Sequence, residues 1–300
     1  MIGYDEIDAL LTNNFYENKL SHAIILHGKR GIGKASFAKS FCQKILNNFD
    51  EVNPDIKIIQ KPEDKKVIGI DEVRASHKFL LQSSAKSAYK FTIIDSACDL
   101  TNQASNSLLK ILEEPRNNNF LILIVHNFNK ILPTIISRCQ LFKINDLSLN
   151  NFNEILELKS ISFSEENKLF LSEISENSPA MAIDFGNEII KIYQEFLKSL
   201  LQNSVSEELI KMISDKKFNF YLIEKNISFF LIRLLKFNYK LINKLFFNEE
   251  EIFNLLISKH NNQQIINFSE EILSNLNNYK YYNLDKKMNF LNQFNQICYG

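Results

Sequence analysis

The sequence contains few arginines, and its charges balance. Arginine occurs five times, at Arg30, Arg74, Arg116, Arg138 and Arg233, and lysine makes up the rest of the 35 basic residues. The 35 acidic residues bring the formal net charge to zero. A balanced chain does not present a polyanion-binding surface over its whole extent, so only a local basic strip remains open.

The sequence is also poor in cysteine and lacks a long apolar run. Its four cysteines (Cys42, Cys98, Cys139 and Cys298) lie far apart without a C-x-x-C pair, which argues against a zinc module or a disulfide framework and fits a reducing cytoplasm. The first six residues are acidic and lack the apolar core of a signal peptide. The longest apolar strand, Phe120 to Val125, is too short to span a bilayer. We expect a soluble cytoplasmic protein with no metal site.

The first half of the chain alternates apolar strands with helices. Predicted strands cover His22 to His27, Lys90 to Asp95, Phe120 to Val125 and, as a candidate fourth, Leu141 to Ile144. Predicted helices cover residues 4–20, 36–46, 70–82 and 103–114. The polar residues 47–68, with Pro54 and Pro62, are interpreted as a loop. This alternation predicts an α/β fold with a parallel sheet covered on both faces.

The strand signal largely ends near residue 146. Residues 148–190 hold short helical patterns broken at Ser178-Pro179, and residues from about 191 to 298 are helical throughout. Predicted helices there cover 189–201, 218–223, 227–247, 250–259 and 265–276. The sequence therefore predicts three domains, at 1–145, 146–190 and 191–300. The apolar residues between Phe229 and Leu245 are more than one helix face needs, which favours the core of a helical bundle. In the alternative interpretation, the remaining face also contacts another subunit.

A glycine-rich turn lies between the first predicted strand and the helix after it. Gly28, Gly31, Gly33 and Lys34 fit G-x-x-x-x-G-K, in which backbone N–H groups and the lysine hold phosphates at a helix N-terminus. The next residue should carry the hydroxyl that binds Mg²⁺, but it is Ala35. Ser36 is one position late and points about 100° around the helix, so it does not replace that hydroxyl.

A second defect follows the strand that ends at Asp95. In folds with this phosphate-binding motif, the acidic residue associated with the metal lies at the position of Asp95. An equal alternative is that Asp95 caps the next turn. The following residue is normally the glutamate that positions the attacking water, and here it is Ser96. The sequence predicts a degenerate nucleotide site with little hydrolysis of its own.

These motifs and several others resemble one family, the bacterial clamp-loader subunits with an AAA+ module. The resemblance is carried by Lys19-Leu20-Ser21-His22-Ala23, the Gly28 loop, Ile70-Asp71-Glu72-Val73-Arg74, Ile93-Ile94-Asp95, Asn106 to Pro115 (NSLLKILEEP) and Ser137-Arg138-Cys139. Weaker matches are Asn177 to Ala182, which resembles the start of the sensor-2 helix, and Asn283 to Lys287. The resemblance implies an AAA+ P-loop parallel-sheet core, a small helical lid and an all-α C-terminal collar for oligomerisation.

Within the family, the sequence is closer to the non-hydrolysing delta-prime type than to the hydrolysing tau/gamma type. It has Ala35 and Ser96, Met181 where sensor 2 carries arginine, no four-cysteine zinc cluster, and Val125-His126 in place of sensor-1 threonines. Arg138 is retained, and in the family this arginine reaches the γ-phosphate of ATP bound by the adjacent subunit. The alternative role for Arg138 is a buried structural ion pair.

The resemblance further implies partners and a process. The partners are tau/gamma and delta subunits and, through the complex, the sliding clamp and primed-template DNA during replication. The chain would have no catalysis of its own, although the holoenzyme to which it belongs is a DNA-directed DNA polymerase, a nucleotidyltransferase. No cofactor is required, with at most weak binding of ATP, ADP or phosphate and no zinc. The alternatives are an active tau/gamma-like ATPase and a nucleotide-free adaptor of another AAA+ assembly.

Overall fold

The computed structural model describes residues 1–62, 65–215, 217–242, 244–278 and 286–299. The chain divides into two compact units, the first formed by Met1–Ser160 with Asn177–Ala180 and the second by Ile161–Glu176 with Met181–Gly300. The predicted domain boundaries at residues 145 and 190 stay predictions. The Asn283 to Asp285 part of the weak C-terminal match lies outside the described residues.

The first unit is built on a parallel five-stranded sheet. Its strands are β1 (Ala23–His27), β2 (Ile56–Gln60), β3 (Lys90–Asp95), β4 (Asn119–Val125) and β5 (Gln140–Lys143). They lie in the order β2-β3-β4-β1-β5, and every neighbouring pair is parallel. The α/β fold expected from the alternating pattern is confirmed.

Helices cover both faces of this sheet, as the apolar strands require. They are α1 (Asp5–Tyr16), α2 (Lys34–Ile45), α3 (Ile70–Leu81), α4 (Asn102–Glu113), the short α5 (Pro133–Ile136) and α6 (Leu149–Leu158). Side chains of a strand alternate between the faces: Ile24 and Leu26 join the core that holds Phe37 of α2, whereas Ile25 joins the core that holds Leu108 of α4. The sheet is therefore buried on both sides.

The interpretation of residues 47–68 as a loop is wrong, because β2 lies within this segment and pairs with β3 along one edge of the sheet. An edge strand is partly exposed, so its residues do not form the continuous apolar run of a central strand. A long-range contact also holds it in place. The Asp55 carboxylate accepts hydrogen bonds from the backbone N–H groups of Ala85, Lys86 and Ser87 at 2.7–3.0 Å.

The second unit is helical. Its helices are α7 (Glu165–Ser175), most of α8 (Pro179–Gln202), α9 (Glu207–Ser214), α10 (Phe220–Asn238), α11 (Glu249–Lys259), α12 (Asn262–Asn278) and α13 (Lys286–Tyr299). The break before Pro179 is confirmed. The two helices predicted between residues 218 and 247 are instead the single helix α10, which ends before the left-handed residue Lys240. No helix in the described parts of the chain combines the length and the apolar composition needed to cross a membrane.

A buried ion pair lies in the core of this unit. The side chain of Arg233 on α10 is only 4% exposed and contacts both carboxylate oxygens of Glu249, with Nε 2.8 Å from Oε1 and Nη2 2.7 Å from Oε2. Arg233 Nη1 also donates to Glu173 Oε2 at 2.6 Å. Glu249 further accepts hydrogen bonds from the Tyr193 hydroxyl and from the backbone N–H of Phe246. Both charges are therefore satisfied inside the bundle.

Candidate functional site

The glycine-rich turn connects β1 to α2, the strand–turn–helix context that the motif requires. Gly31 and Gly33 have φ angles of 82° and 95°, in the left-handed region that favours glycine. A Cβ atom on Gly31 would also overlap the Ser178 hydroxyl, and one on Gly28 would overlap the Ile144 carbonyl oxygen. The loop geometry therefore depends on all three glycines.

The lysine of the motif is turned onto its own loop. The Lys34 side chain is buried, and its Nζ donates to the carbonyl oxygens of Gly28, at 2.8 Å, and of Lys29. Burial lowers the pKa of Lys34 to about 8, and nearby Arg30 adds to this, whereas Asp95 and Cys98 oppose it. The ammonium is thus held by carbonyl oxygens of its own loop.

This burial predicts how stability changes with pH. The pKa of Lys34 is about 8 when folded against a model value of 10.5, so between these values the unfolded chain binds more protons. The destabilisation caused by the buried charge is complete below pH 8 and is relieved as pH rises towards 10.5. In urea unfolding, the wild type should gain on the order of 1 kcal/mol over Lys34→Met between about pH 7.5 and about pH 9.5. Parallel pH profiles for the two proteins would contradict the buried, depressed amine.

The side chains around the loop are not those needed to bind Mg²⁺ and hydrolyse a nucleotide. Ala35 is the second residue of α2 and presents a methyl group, and Ser36 is exposed. Asp95 is the last residue of β3, and its Oδ2 accepts a hydrogen bond from Gln60 Nε2 at 3.3 Å. One carboxylate without the hydroxyl that binds the metal is an incomplete set of ligands for Mg²⁺.

Ser96 is engaged in a small polar cluster with His126 and Cys98. Its Oγ lies 3.1 Å from His126 Nδ1 and accepts the backbone N–H of Cys98 at 3.1 Å. Burial by itself would raise the pKa of the Cys98 thiol. Hydrogen bonds with His126, Ser96 and Asn127 outweigh this effect, so the pKa is lowered to about 7. A hydroxyl held in this way cannot act as the missing carboxylate base.

The sequence did not predict the contact between Ser96 and His126. Ser96 directly follows β3 and His126 directly follows β4, and these strands are parallel neighbours. Because the carboxyl ends of parallel strands meet at one edge of a sheet, this adjacency was the signal available in the sequence. Asp95, Ser96 and the glycine loop are brought together at that edge.

Arg138 lies at the other end of the parallel strands, where their amino ends meet. It precedes β5, whose first residue Gln140 pairs with Ile24 near the start of β1, whereas the glycine loop follows His27 at the end of β1. With a rise of about 3.3 Å per residue, the strand separates these two ends by on the order of 15 Å. Arg138 does not approach the glycine loop of its own chain.

The Arg138 side chain is exposed, so the alternative of a buried structural ion pair does not describe it. It is 39% exposed and forms an ion pair with Glu113, in which Nη2 lies 2.9 Å from Oε1. Its Nη1 donates to the Thr134 carbonyl oxygen at 3.1 Å. The guanidinium therefore stands at the surface with a defined orientation.

The remaining predicted residues are Met181 and Cys139. Met181 is the third residue of α8 and belongs to the second unit. Burial raises the pKa of Cys139 to about 12, which fits a packing role for this thiol. Among the described residues, no group of three His, Cys, Asp or Glu side chains is arranged to hold a metal ion.

The sheet order, the glycine loop after β1 and the exposed arginine before β5 are those of an AAA+ fold. Residues 4–148 match the family described as DNA polymerase III, delta subunit. The chain is 35% identical over 147 residues to the delta-prime subunit of Bacillus subtilis (strain 168), covering 44% of each protein. It is 27% identical over 245 residues to the tau subunit of the same organism, covering 72% of this chain and 43% of tau.

A solved structure supports the same fold. A DNA polymerase III gamma subunit-related protein from Thermotoga maritima matches with a TM-score of 0.53 and 19% identity, over 98% of this chain and 99% of that one. The comparisons support a relationship to the clamp-loader subunits of DNA polymerase III: residues 4–148 carry the family match, and relatives named delta-prime are 27–35% identical to this chain. The matched region spans less than half the length of the two B. subtilis relatives.

Proposed function

We propose that this chain is a non-hydrolysing, delta-prime-like clamp-loader subunit that supplies Arg138 to the ATP site of an adjacent subunit. The observation that carries the proposal is the place of Arg138, which is exposed and lies at the sheet edge opposite to its own glycine loop. An arginine that cannot reach a nucleotide in its own chain can still reach one bound by a neighbour. There its planar fork would stabilise charge on the transferring phosphoryl group.

The side chains at the chain's own glycine loop also favour a subunit that does not hydrolyse ATP itself. Ala35 offers no hydroxyl to a metal, Ser96 is hydrogen-bonded within the fold, and Lys34 binds the carbonyl oxygens of its own loop. Hydrolysis would need these groups to act on nucleotide and water. We propose that the site binds ATP, ADP or phosphate weakly at most and needs no cofactor.

The alternative function is that of an active ATPase of the tau/gamma type. The relatives carry both kinds of name, delta prime and gamma or tau, so similarity alone does not choose between them. The residues at Ala35 and Ser96 favour the non-hydrolysing role.

The proposal includes a set of partners. The neighbours would be tau/gamma and delta subunits, and the assembly would place the sliding clamp on primed-template DNA in the cytoplasm. Joining through the helical second unit is consistent with apolar side chains such as Ile232 and Leu241, which are 44% and 72% exposed.

The purified chain alone should show no magnesium-dependent ATP hydrolysis above background, because two side chains needed for metal binding and water activation are absent. The measurement is phosphate release with and without Mg²⁺, and the assembly reconstituted with hydrolysing subunits serves as the positive control. Turnover by the chain alone that Lys34→Ala abolishes would favour the ATPase alternative. Weak nucleotide binding to the Gly28 loop without turnover agrees with the proposal.

A further inference from the structure

Glu113 and Arg138 come from two separate sequence motifs and meet in the folded chain. Glu113 is the last residue of α4, a helix that ends shortly before Pro115, and Arg138 follows α5, which packs against α4. Arg138 Nη2 lies 2.9 Å from Glu113 Oε1, and Nη1 donates to the Thr134 carbonyl oxygen at 3.1 Å. The guanidinium is thus held by α4 on one side and by α5 on the other.

We propose that Glu113 is a positioning residue, which orients the Arg138 guanidinium before a neighbouring nucleotide engages it. This inference rests on the proposed function. A long arginine side chain loses rotamer freedom when it binds a phosphate, and a contact that restrains it beforehand reduces this cost. A guanidinium carries five N–H donors, so contacts with Thr134 and Glu113 leave donors for the phosphate.

The exposure of the pair argues against a role in stability alone. The side chains of Arg138 and Glu113 are 39% and 52% exposed, and solvent screens ion pairs of this kind. Loss of the carboxylate should therefore leave the fold intact. Screening also means that Glu113 cancels only part of the positive charge that Arg138 presents. Orientation is the property that the pair controls.

Glu114 provides a matched control. It is the next residue, it is exposed, and it is the C-cap residue of α4, outside the ion pair with Arg138. Glu114→Gln removes the same charge from the same surface. A difference between Glu113→Gln and Glu114→Gln therefore reports on the ion pair and not on the net charge.

The first measurement uses the isolated full chain. NMR of arginine-labelled protein reports the rotation of each guanidinium about its Nε–Cζ bond, and with five arginines the Arg138 signal can be assigned by its loss in Arg138→Ala. Glu113→Gln should speed the rotation of Arg138, whereas Glu114→Gln should not. Equal rotation in the wild type and in Glu113→Gln would overturn the positioning role, whatever the function of Arg138.

The second measurement uses the reconstituted assembly with hydrolysing subunits. Glu113→Gln should lower the rate at the adjacent ATP site about two- to fivefold, the range expected from one exposed ion pair, and should lower the rate of the whole assembly by less. It should cause no further loss when Arg138 is already alanine, since the two residues act as one unit. An equal loss in the Arg138→Ala background would overturn the inference. If Arg138→Ala lowers the rate and Glu113→Gln does not, only the positioning role fails; if Arg138→Ala has no effect, the proposed function itself fails.

Discussion

Arg138→Ala is expected to lower ATP hydrolysis and clamp loading by the reconstituted assembly while the variant subunit still folds and assembles. A fully engaged arginine finger contributes on the order of 10³-fold to its own site. The loss over the whole assembly should be smaller, because other interfaces keep their arginines. The chain itself should remain stable, since the side chain is exposed and its ion pair with Glu113 is screened. The measurement is steady-state ATPase in the presence of primed DNA and clamp.

Arg138→Lys separates charge from geometry. Lysine keeps the positive charge but lacks the planar fork, so it should restore little of the lost rate. Arg116→Ala is a matched control, because Arg116 is also exposed and donates to the Leu81 carbonyl oxygen at 3.3 Å. If Arg138→Ala unfolds the chain and the folded fraction still supports normal loading, Arg138 is structural and the proposed role in the neighbour's site is wrong.

Glu249→Ala is expected to lower the free energy of unfolding of the second unit by a large amount for a single substitution. It removes the carboxylate that contacts Arg233 twice. The buried guanidinium keeps only the Lys244 carbonyl oxygen and the carboxylate of Glu173, whose side chain is 44% exposed. Breaking a buried ion pair from one side costs about 3–5 kcal/mol. Tyr193 would also lose the acceptor of its buried hydroxyl. Urea unfolding followed by far-UV circular dichroism measures the loss.

The adjacent residue again provides a control. Glu250 is exposed at the start of the same helix, α11, so Glu250→Ala should change the free energy of unfolding by less than about 0.5 kcal/mol. Glu173→Ala should fall between the two, because that carboxylate is partly solvated. Equal unfolding midpoints for Glu249→Ala and Glu250→Ala would show that the buried network does not stabilise this unit.

The sequence predicted the central strands because burial on both faces leaves continuous apolar runs such as Phe120 to Val125. It did not predict β2, because an edge strand alternates with exposed positions and its anchor is the long-range contact from Asp55 to residues 85–87. It predicted a helical C-terminal segment but not the bounds of α13. It also did not predict the continuity of α10, since the helical signal around Glu224 to Asn226 is interrupted by polar residues that the folded helix accepts.

At the candidate site, too, the sequence predicted the local motif but not the contacts between distant residues. The glycine loop is a local motif, so its strand and helix context follows from one stretch of sequence. The contact of Ser96 with His126 and the ion pair of Glu113 with Arg138 join elements that are distant in sequence. Such contacts depend on which strands and helices become neighbours, which residue patterns specify only indirectly.

The central claim, that this chain serves a neighbouring nucleotide site and not its own, is tested most directly by comparing Arg138→Ala with Lys34→Ala in the same reconstituted assembly. Each variant is first shown to assemble normally, and the DNA-stimulated ATPase rate is then measured. The account predicts a clear loss for Arg138→Ala and a rate near that of the wild type for Lys34→Ala. A clear loss for Lys34→Ala with a normal rate for Arg138→Ala would contradict it.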